Sequence, residues 1–323
     1  MDGAHFPAGY LGKIPGFGDF VRYSASGRET REFDQWVSEG LYFAQKQLGR
    51  DWDQLFLHAP VWRFAFCPDG ASRFLVGEFR PSQDKNCRKY PFIITLLVDR
   101  PRFGRNEVYM SPVVFSDFLQ KASAVACRAV EAVTMQEITD ATRELDVPVS
   151  EFADAIGRYE MYAEQTSLSE FWKGMFSEPR DPRKFLLMNN LLEILSPFQR
   201  SKLSEPMIGL RFPLKDGIDE VGNQVCFWVH TIMSLLKRTA GMPTFFWSLP
   251  VSEGPRHLFV FFRQPSPRVF TQLVKSSLQS DTICFLEEEG ADQAAVAKEK
   301  LPQSIRDVLD SPEASLRTLL NVL

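Results

Sequence analysis

The segment Tyr90-Pro91-Phe92-Ile93-Ile94-Thr95-Leu96-Leu97-Val98 is apolar on both faces of an extended strand. Successive strand side chains point to opposite sides, so such a run needs apolar cover above and below. A chain that carries it is committed to a sheet interior with a layer packed on each face. At 323 residues the chain has enough material for both layers, because a chain of this size buries about three quarters of its unfolded surface.

The surrounding pattern agrees. Trp62-Arg63-Phe64-Ala65-Phe66 reads as a strand, Pro68-Asp69-Gly70 as a turn, and Phe74 to Phe79 as the returning strand of a hairpin. Strands return after Pro206, at Met207–Phe212, Thr244–Leu249, Leu258–Phe262 and Ile283–Leu286. Phe33, Trp36, Val37, Leu41, Ala44 and Leu48 recur at helical spacing over Glu29–Leu48, and Gly49 stops that helix. Residues 115–200 read as mostly helical. Strands at both ends with helices between and after them predict an α/β fold with one sheet covered on both faces. The hairpin excludes an all-parallel sheet.

Composition narrows the function classes. With 37 Lys+Arg against 41 Asp+Glu, the chain lacks the basic excess of a protein that neutralises nucleic-acid phosphates. Its five cysteines are odd in number and form no CxxC pair, which predicts reduced thiols and a cytoplasmic location. The four histidines are scattered without metal-ligand spacing, so neither metal nor cofactor is expected. The longest apolar runs fall short of the ~18 residues that cross a bilayer, so no membrane insertion is expected. Trp228, Trp247, Phe259, Phe261 and Phe270 read as core. Glu287-Glu288-Glu289 reads as a solvated strand end. Residues 1–290 read as one domain. Residues 291–323 read as a polar tail with one short helix, capped by Ser311-Pro312-Glu313.

Two loops stand out. The first, Gly12-Lys13-Ile14-Pro15-Gly16-Phe17-Gly18-Asp19, lacks the GxxxxGK[ST] order of a phosphate loop, and Asp19 would repel a phosphate. It reads as a stiffened turn, of the kind that also serves as a recognition surface. The second contains Pro81, Ser82, Asp84 and Arg88. Ser82 with His58 could form a nucleophile and base only if the fold brought them together. Arg88 is expected to pair with a carboxylate, and Asp19 is one candidate.

Several segments, taken in order, resemble the TagF/ImpM family of type VI secretion-associated proteins. They are Gly12-Lys13-Ile14-Pro15, Gly18-Asp19-Phe20-Val21-Arg22, Phe33-Asp34-Gln35-Trp36, Trp52, Ala59-Pro60-Val61-Trp62-Arg63-Phe64, Gly77, Pro81-Ser82 with Asp84 and Arg88, and Tyr90-Pro91-Phe92. The motif-bearing part is about residues 9–98. The sequence departs from the family's PSxDxxGR pattern at Cys87, which stands where the glycine is usual.

The resemblance implies a three-layer α-β-α sandwich with a mixed, largely antiparallel central sheet. It also implies a non-enzymatic, post-translational negative regulator of type VI secretion that binds a forkhead-associated scaffold or another apparatus protein. The candidate binding residues are Gly12, Lys13, Pro15, Gly18, Asp19, Phe20, Pro81, Ser82, Asp84 and Arg88. Some members of the family are fused to a serine/threonine phosphatase; the acidic metal motifs of that enzyme are missing from this sequence, so no phosphatase activity is expected. Two other readings stay open: a structural or accessory component of the apparatus, and a hydrolase of unrecognised class using Ser82.

Overall fold

A computed structural model describes residues 5–100, 108–145, 147–148, 152–200, 206–215, 221–236, 242–249, 255–288 and 291–323. Its strands are β1 (His5–Phe6), β2 (Ala8–Gly12), β3 (Val21–Tyr23), β4 (Val61–Phe66), β5 (Arg73–Arg80), β6 (Phe92–Asp99), β7 (Val147–Pro148), β8 (Gly209–Leu214), β9 (Thr244–Leu249), β10 (Arg256–Phe261) and β11 (Ile283–Phe285). Nine of them form one sheet in the order β11-β8-β10-β9-β4-β5-β6-β2-β3, while β1 and β7 make a separate antiparallel pair. Within the large sheet β11 runs parallel to β8, and the other neighbours are antiparallel. This is the expected mixed, largely antiparallel sheet.

The doubly apolar segment becomes β6, paired with β5 on one side and β2 on the other. Its side chains divide between two cores. Phe92, Ile94, Leu96 and Val98 enter one, and Ile93 enters the other, with Leu97 packed against it.

On the second face lie α1 (Arg28–Leu48), α2 (Trp52–Leu57) and, after a turn of 3-10 helix, α10 (Phe270–Val274). The α1 stripe packs aromatic on aromatic. Phe33 stacks on Phe64 with ring centroids 4.4 Å apart, and Trp36 stacks on Phe246 at 5.2 Å. The indole N–H groups that this burial would strand are used, since Trp36 donates to the Pro265 carbonyl and Trp62 to that of Leu273, both at 2.8 Å. Each such buried side chain contributes about 1.5–3 kcal/mol of transfer free energy. At the start of α1, Arg73 of β5 grips the buried Glu29 with two nitrogens, at 3.2 and 3.1 Å.

The opposite face is covered by α3 (Ser111–Val114), α4 (Ser116–Ala129), α5 (Met135–Arg143), α6 (Phe152–Gln165), α7 (Leu168–Phe176), α8 (Arg183–Arg200) and α9 (Val221–Leu236). Sheet and two helical layers thus make the three-layer sandwich. Trp228 and Trp247 lie in this core, Phe259, Phe261 and Phe270 in the other.

Two sequence expectations change. The segment after residue 290 forms three helices, α11 (Ala291–Lys300), α12 (Gln303–Asp310) and α13 (Leu316–Val322). Leu301, Ile305, Leu309, Leu316, Leu319 and Leu320 join the larger core. The last helix starts later than its sequence suggests. Ser315, not Ser311, accepts the capping bond from Thr318 N at 3.2 Å. After a turn at Pro312-Glu313, residues 314–316 run along the start of α7; the carbonyls of Pro312 and Ala314 accept from Ser169 N and Leu168 N, and Leu316 N donates to Thr166 O.

The acidic run is the second change. Arg211 of β8 is 2% exposed and donates to Glu287 Oε1 at 2.6 Å, to Glu288 Oε1, and to the Ser276 carbonyl at 3.0 Å. Its guanidinium lies 3.5 Å from the Phe285 ring centroid. The run is therefore a counter-charge for a buried arginine, and Glu289 lies outside the described residues. Burial raises the Glu287 pKa even with Arg211 beside it.

The buried His257 of β10 faces the same arginine. Burial, and then the positive charge of Arg211, pull its pKa from 6.5 to about 3. The folded state thus refuses a proton that the unfolded chain accepts, and stability falls as pH drops from about 6.5 to about 3. The slope from this one residue is at most about 1.4 kcal/mol per pH unit. His257→Gln should flatten that part of the acid limb in urea titrations run across this window.

Candidate functional site

The two loops singled out in the sequence meet at one end of the sheet. Gly12 closes β2, and residues 13–20 cross to β3. Residues 81–91 cross from β5 to β6, which pairs with β2. The register therefore brings the loops side by side. Gly12 makes the approach close: its φ is +130°, and a Cβ there would lie 2.1 Å from the Pro91 carbonyl oxygen.

Asp84 is the tie between them. The side chain is buried, and Oδ1 accepts from the backbone N–H groups of Asn86 at 2.9 Å and Arg88 at 3.0 Å. Its Oδ2 meets Arg88 Nε at 2.6 Å and Lys13 Nζ at 3.0 Å. Burial alone would raise the Asp84 pKa. The hydrogen bonds from Arg88, Lys13 and Asn86 outweigh it and hold the carboxyl well below the usual carboxylate range. Arg88 reaches back to donate to the Gly18 carbonyl, and Lys85 N donates to Phe17 O at 2.9 Å. The carboxylate that pairs with Arg88 is thus Asp84 in its own loop; Asp19, the candidate from sequence, sits exposed beside the Gly18 contact.

The remaining candidates have distinct places. Pro15 is half-buried in the first turn, where Phe17 N donates to Ile14 O at 3.1 Å. Pro81 leads out of β5, and the Ser82 carbonyl accepts from Tyr90 N at 3.1 Å, closing the base of the second loop. Ser82 is itself buried. His58, considered as its base, lies at the end of α2 with Nδ1 2.8 Å from the Gln54 carbonyl. Phe20 is 39% exposed and leans edge-on against Tyr90, with centroids 5.0 Å apart. Arg22 lies 5.6 Å from the Phe20 ring centroid and pairs with Asp34 at 2.5 Å; Tyr90 donates to the same carboxylate. Motif residues Arg22, Asp34 and Tyr90 therefore seat Phe20 at the surface.

Sequence reasoning missed the polar anchor beneath the second loop. Glu78 of β5 is 1% exposed and holds Arg80 at 2.9 Å and Arg63 at 3.5 Å, while Ser123 of α4 donates to its second oxygen. The available signal was a lone carboxylate in an otherwise apolar strand, Phe-Leu-Val-Gly-Glu-Phe. Among the described residues no group of three or more His, Cys, Asp or Glu is placed to hold a metal ion, and no helix is long and apolar enough to cross a membrane.

The part of the chain that carries this geometry matches a family of type VI secretion-associated proteins. Residues 9–145 match the model of the TagF N-terminal domain, described as type VI secretion system-associated. The matched stretch contains both loops, α1 and the strands that carry them. A crystal structure of PA0076 from Pseudomonas aeruginosa PAO1 is similar at 15% identity, covering 84% of this chain and 96% of that one, with a TM-score of 0.48. No curated protein matches the chain.

The departure at Cys87 has a structural cost. Its φ is +62°, in the left-handed region that disfavours a Cβ. The backbone there is fixed by Cys87 N donating to Asp84 O at 2.9 Å and by Lys89 Nζ reaching the Cys87 carbonyl at 3.1 Å. The side chain is exposed, so a glycine forfeits no buried packing. Cys87→Gly should stabilise the protein by about 0.5–1 kcal/mol, read as a higher urea midpoint with an unchanged slope.

Proposed function

We propose that this type VI secretion-associated protein is a non-enzymatic cytoplasmic regulator that restrains the apparatus after its components are made. Restraint comes from binding a forkhead-associated scaffold or another apparatus protein. The observation that carries this reading is the double loop tied by Asp84. It supplies a rigid ledge whose ionic groups are satisfied internally and whose outer edge presents Asp19 and Phe20.

A ledge of this kind suits protein recognition. Its backbone is ordered before the partner arrives, so little conformational entropy is lost on docking. An aromatic ring held at the surface by Tyr90 and Arg22 is the type of side chain that anchors an interface. The same internal satisfaction argues against chemistry at these residues, because the oxygens of Asp84 are engaged by four donors and Ser82 is buried at the loop base. Holding the scaffold on this surface would draw it from its other partners by mass action.

Two kinds of substitution separate a docking role from a purely structural one. Asp19→Ala with Phe20→Ala changes the outer edge and leaves the tie intact. This double variant should keep its melting temperature and weaken binding of the purified forkhead-associated protein by about tenfold or more, measured by calorimetry. Asp84→Ala should lower the melting temperature, because it strands Lys13, Arg88 and two backbone donors. Parent-like affinity in the double variant would overturn the placement of the surface.

A further inference from the structure

Residues beyond the family-matched segment carry a second, separate feature. Between α7, α8 and α12 lies a cavity of about 740 Å³. That is within the size range of small-molecule sites, roughly 300–1,000 Å³. Its walls combine an apolar body with a buried lysine and a buried indole N–H that lacks an acceptor.

Trp172 lines the cavity, is fully buried, and its indole N–H has no hydrogen-bond partner. This contrasts with Trp36 and Trp62 on the other face, whose N–H groups both reach carbonyls. Lys184 also lines the cavity and is 6% exposed. Its ammonium donates to the Leu309 carbonyl at 2.8 Å, which uses one of three donors. Burial pulls its pKa below the ordinary lysine value, although Asp310 nearby works in the opposite direction.

The charges around the cavity favour an anion. Lys298 and Asp310 neutralise each other at 2.8 Å. That leaves Arg180 and Lys184 against Glu178, a net positive wall. Phe185 supplies an aromatic surface flanked by both ammonium groups, with Lys184 5.0 Å and Lys298 4.6 Å from its ring centroid. Leu168 and Leu309 complete the apolar part.

We propose that this cavity binds a small organic anion, a phosphate or carboxylate carried on an apolar body. Trp172 N–H, Lys184 and Arg180 receive the anionic group, and Phe185 and the leucines receive the body. The proposal stands independently of the docking surface at the other loops, and either can fail alone. A ligand here would clamp α12 against α7 and α8, and so act on the C-terminal segment.

The test uses the full chain with phenyl phosphate, benzoate and inorganic phosphate as probes at matched ionic strength. Binding is read by melting temperature and by titration calorimetry. Phenyl phosphate or benzoate should give a saturable upward shift. Inorganic phosphate, which lacks the body, should bind more weakly. Trp172→Phe keeps the ring and removes the donor, and Lys184→Met removes the charge; each should raise the dissociation constant about tenfold or more. Arg180→Ala alters an exposed side chain between α7 and α8 and should weaken binding even if the buried variants fail to fold. No saturable shift with either organic probe would overturn the proposal. So would parent-like affinity in Arg180→Ala together with whichever of the other two variants fold. Equal affinity for inorganic phosphate would remove the apolar body from it.

Discussion

Burial of β6 on both faces is the constraint from which the rest of the architecture follows. A strand with Phe92, Ile94, Leu96 and Val98 on one side and Ile93 and Leu97 on the other is stable only under two layers. Its interior place also fixes its neighbours. β5 must pair on one side and β2 on the other, and these pairings set the two motif loops next to each other. The candidate surface is thus a consequence of sheet register before it is a consequence of any loop residue.

Within that frame, Asp84 does at the loops what β6 does for the layers. One buried carboxylate gathers two backbone N–H groups, a lysine from the opposing loop and an arginine that also reaches the Gly18 carbonyl. The charge costs free energy to bury, and the number of donors offsets that cost. Most of the motif's ionic character is consumed in this knot. What the knot leaves outward is an exposed aspartate and a supported aromatic ring. That edge is the surface on which the proposed docking role rests.

Much of the fold was legible because its signals are local and periodic. The α1 stripe, the hairpin of β4 and β5, and the late strands lie within a few residues of where spacing and turn residues put them. The candidate site was legible as two stiff loops and as motif residues, but the pairing inside it was not. Arg88 was open to any nearby carboxylate, and it takes Asp84, four residues earlier in its own loop, because that loop turns back on itself around the Asp84 carboxylate. The Glu78 cluster and the burial of Glu287 by Arg211 escaped for the same reason, since both join groups from strands or loops far apart in sequence.

The C-terminal segment shows where the boundary between the two kinds of information falls. Its polar composition and short apolar spacing suggest a tail, and local capping rules place a helix start at Ser311. In the folded protein, the start of α7 offers free backbone donors that the carbonyls of Pro312 and Ala314 accept, so the chain makes a turn there instead of a helix and the cap moves to Ser315. Sequence by itself determined most elements before residue 290, the need for two covering layers and the glycine-stiffened turn after Gly12, because those depend on residues close along the chain. Tertiary structure alone decided which charges pair, which loops meet and where the last helix begins, because hydrogen bonds and ion pairs act over a few ångströms and are set by neighbours that only folding supplies.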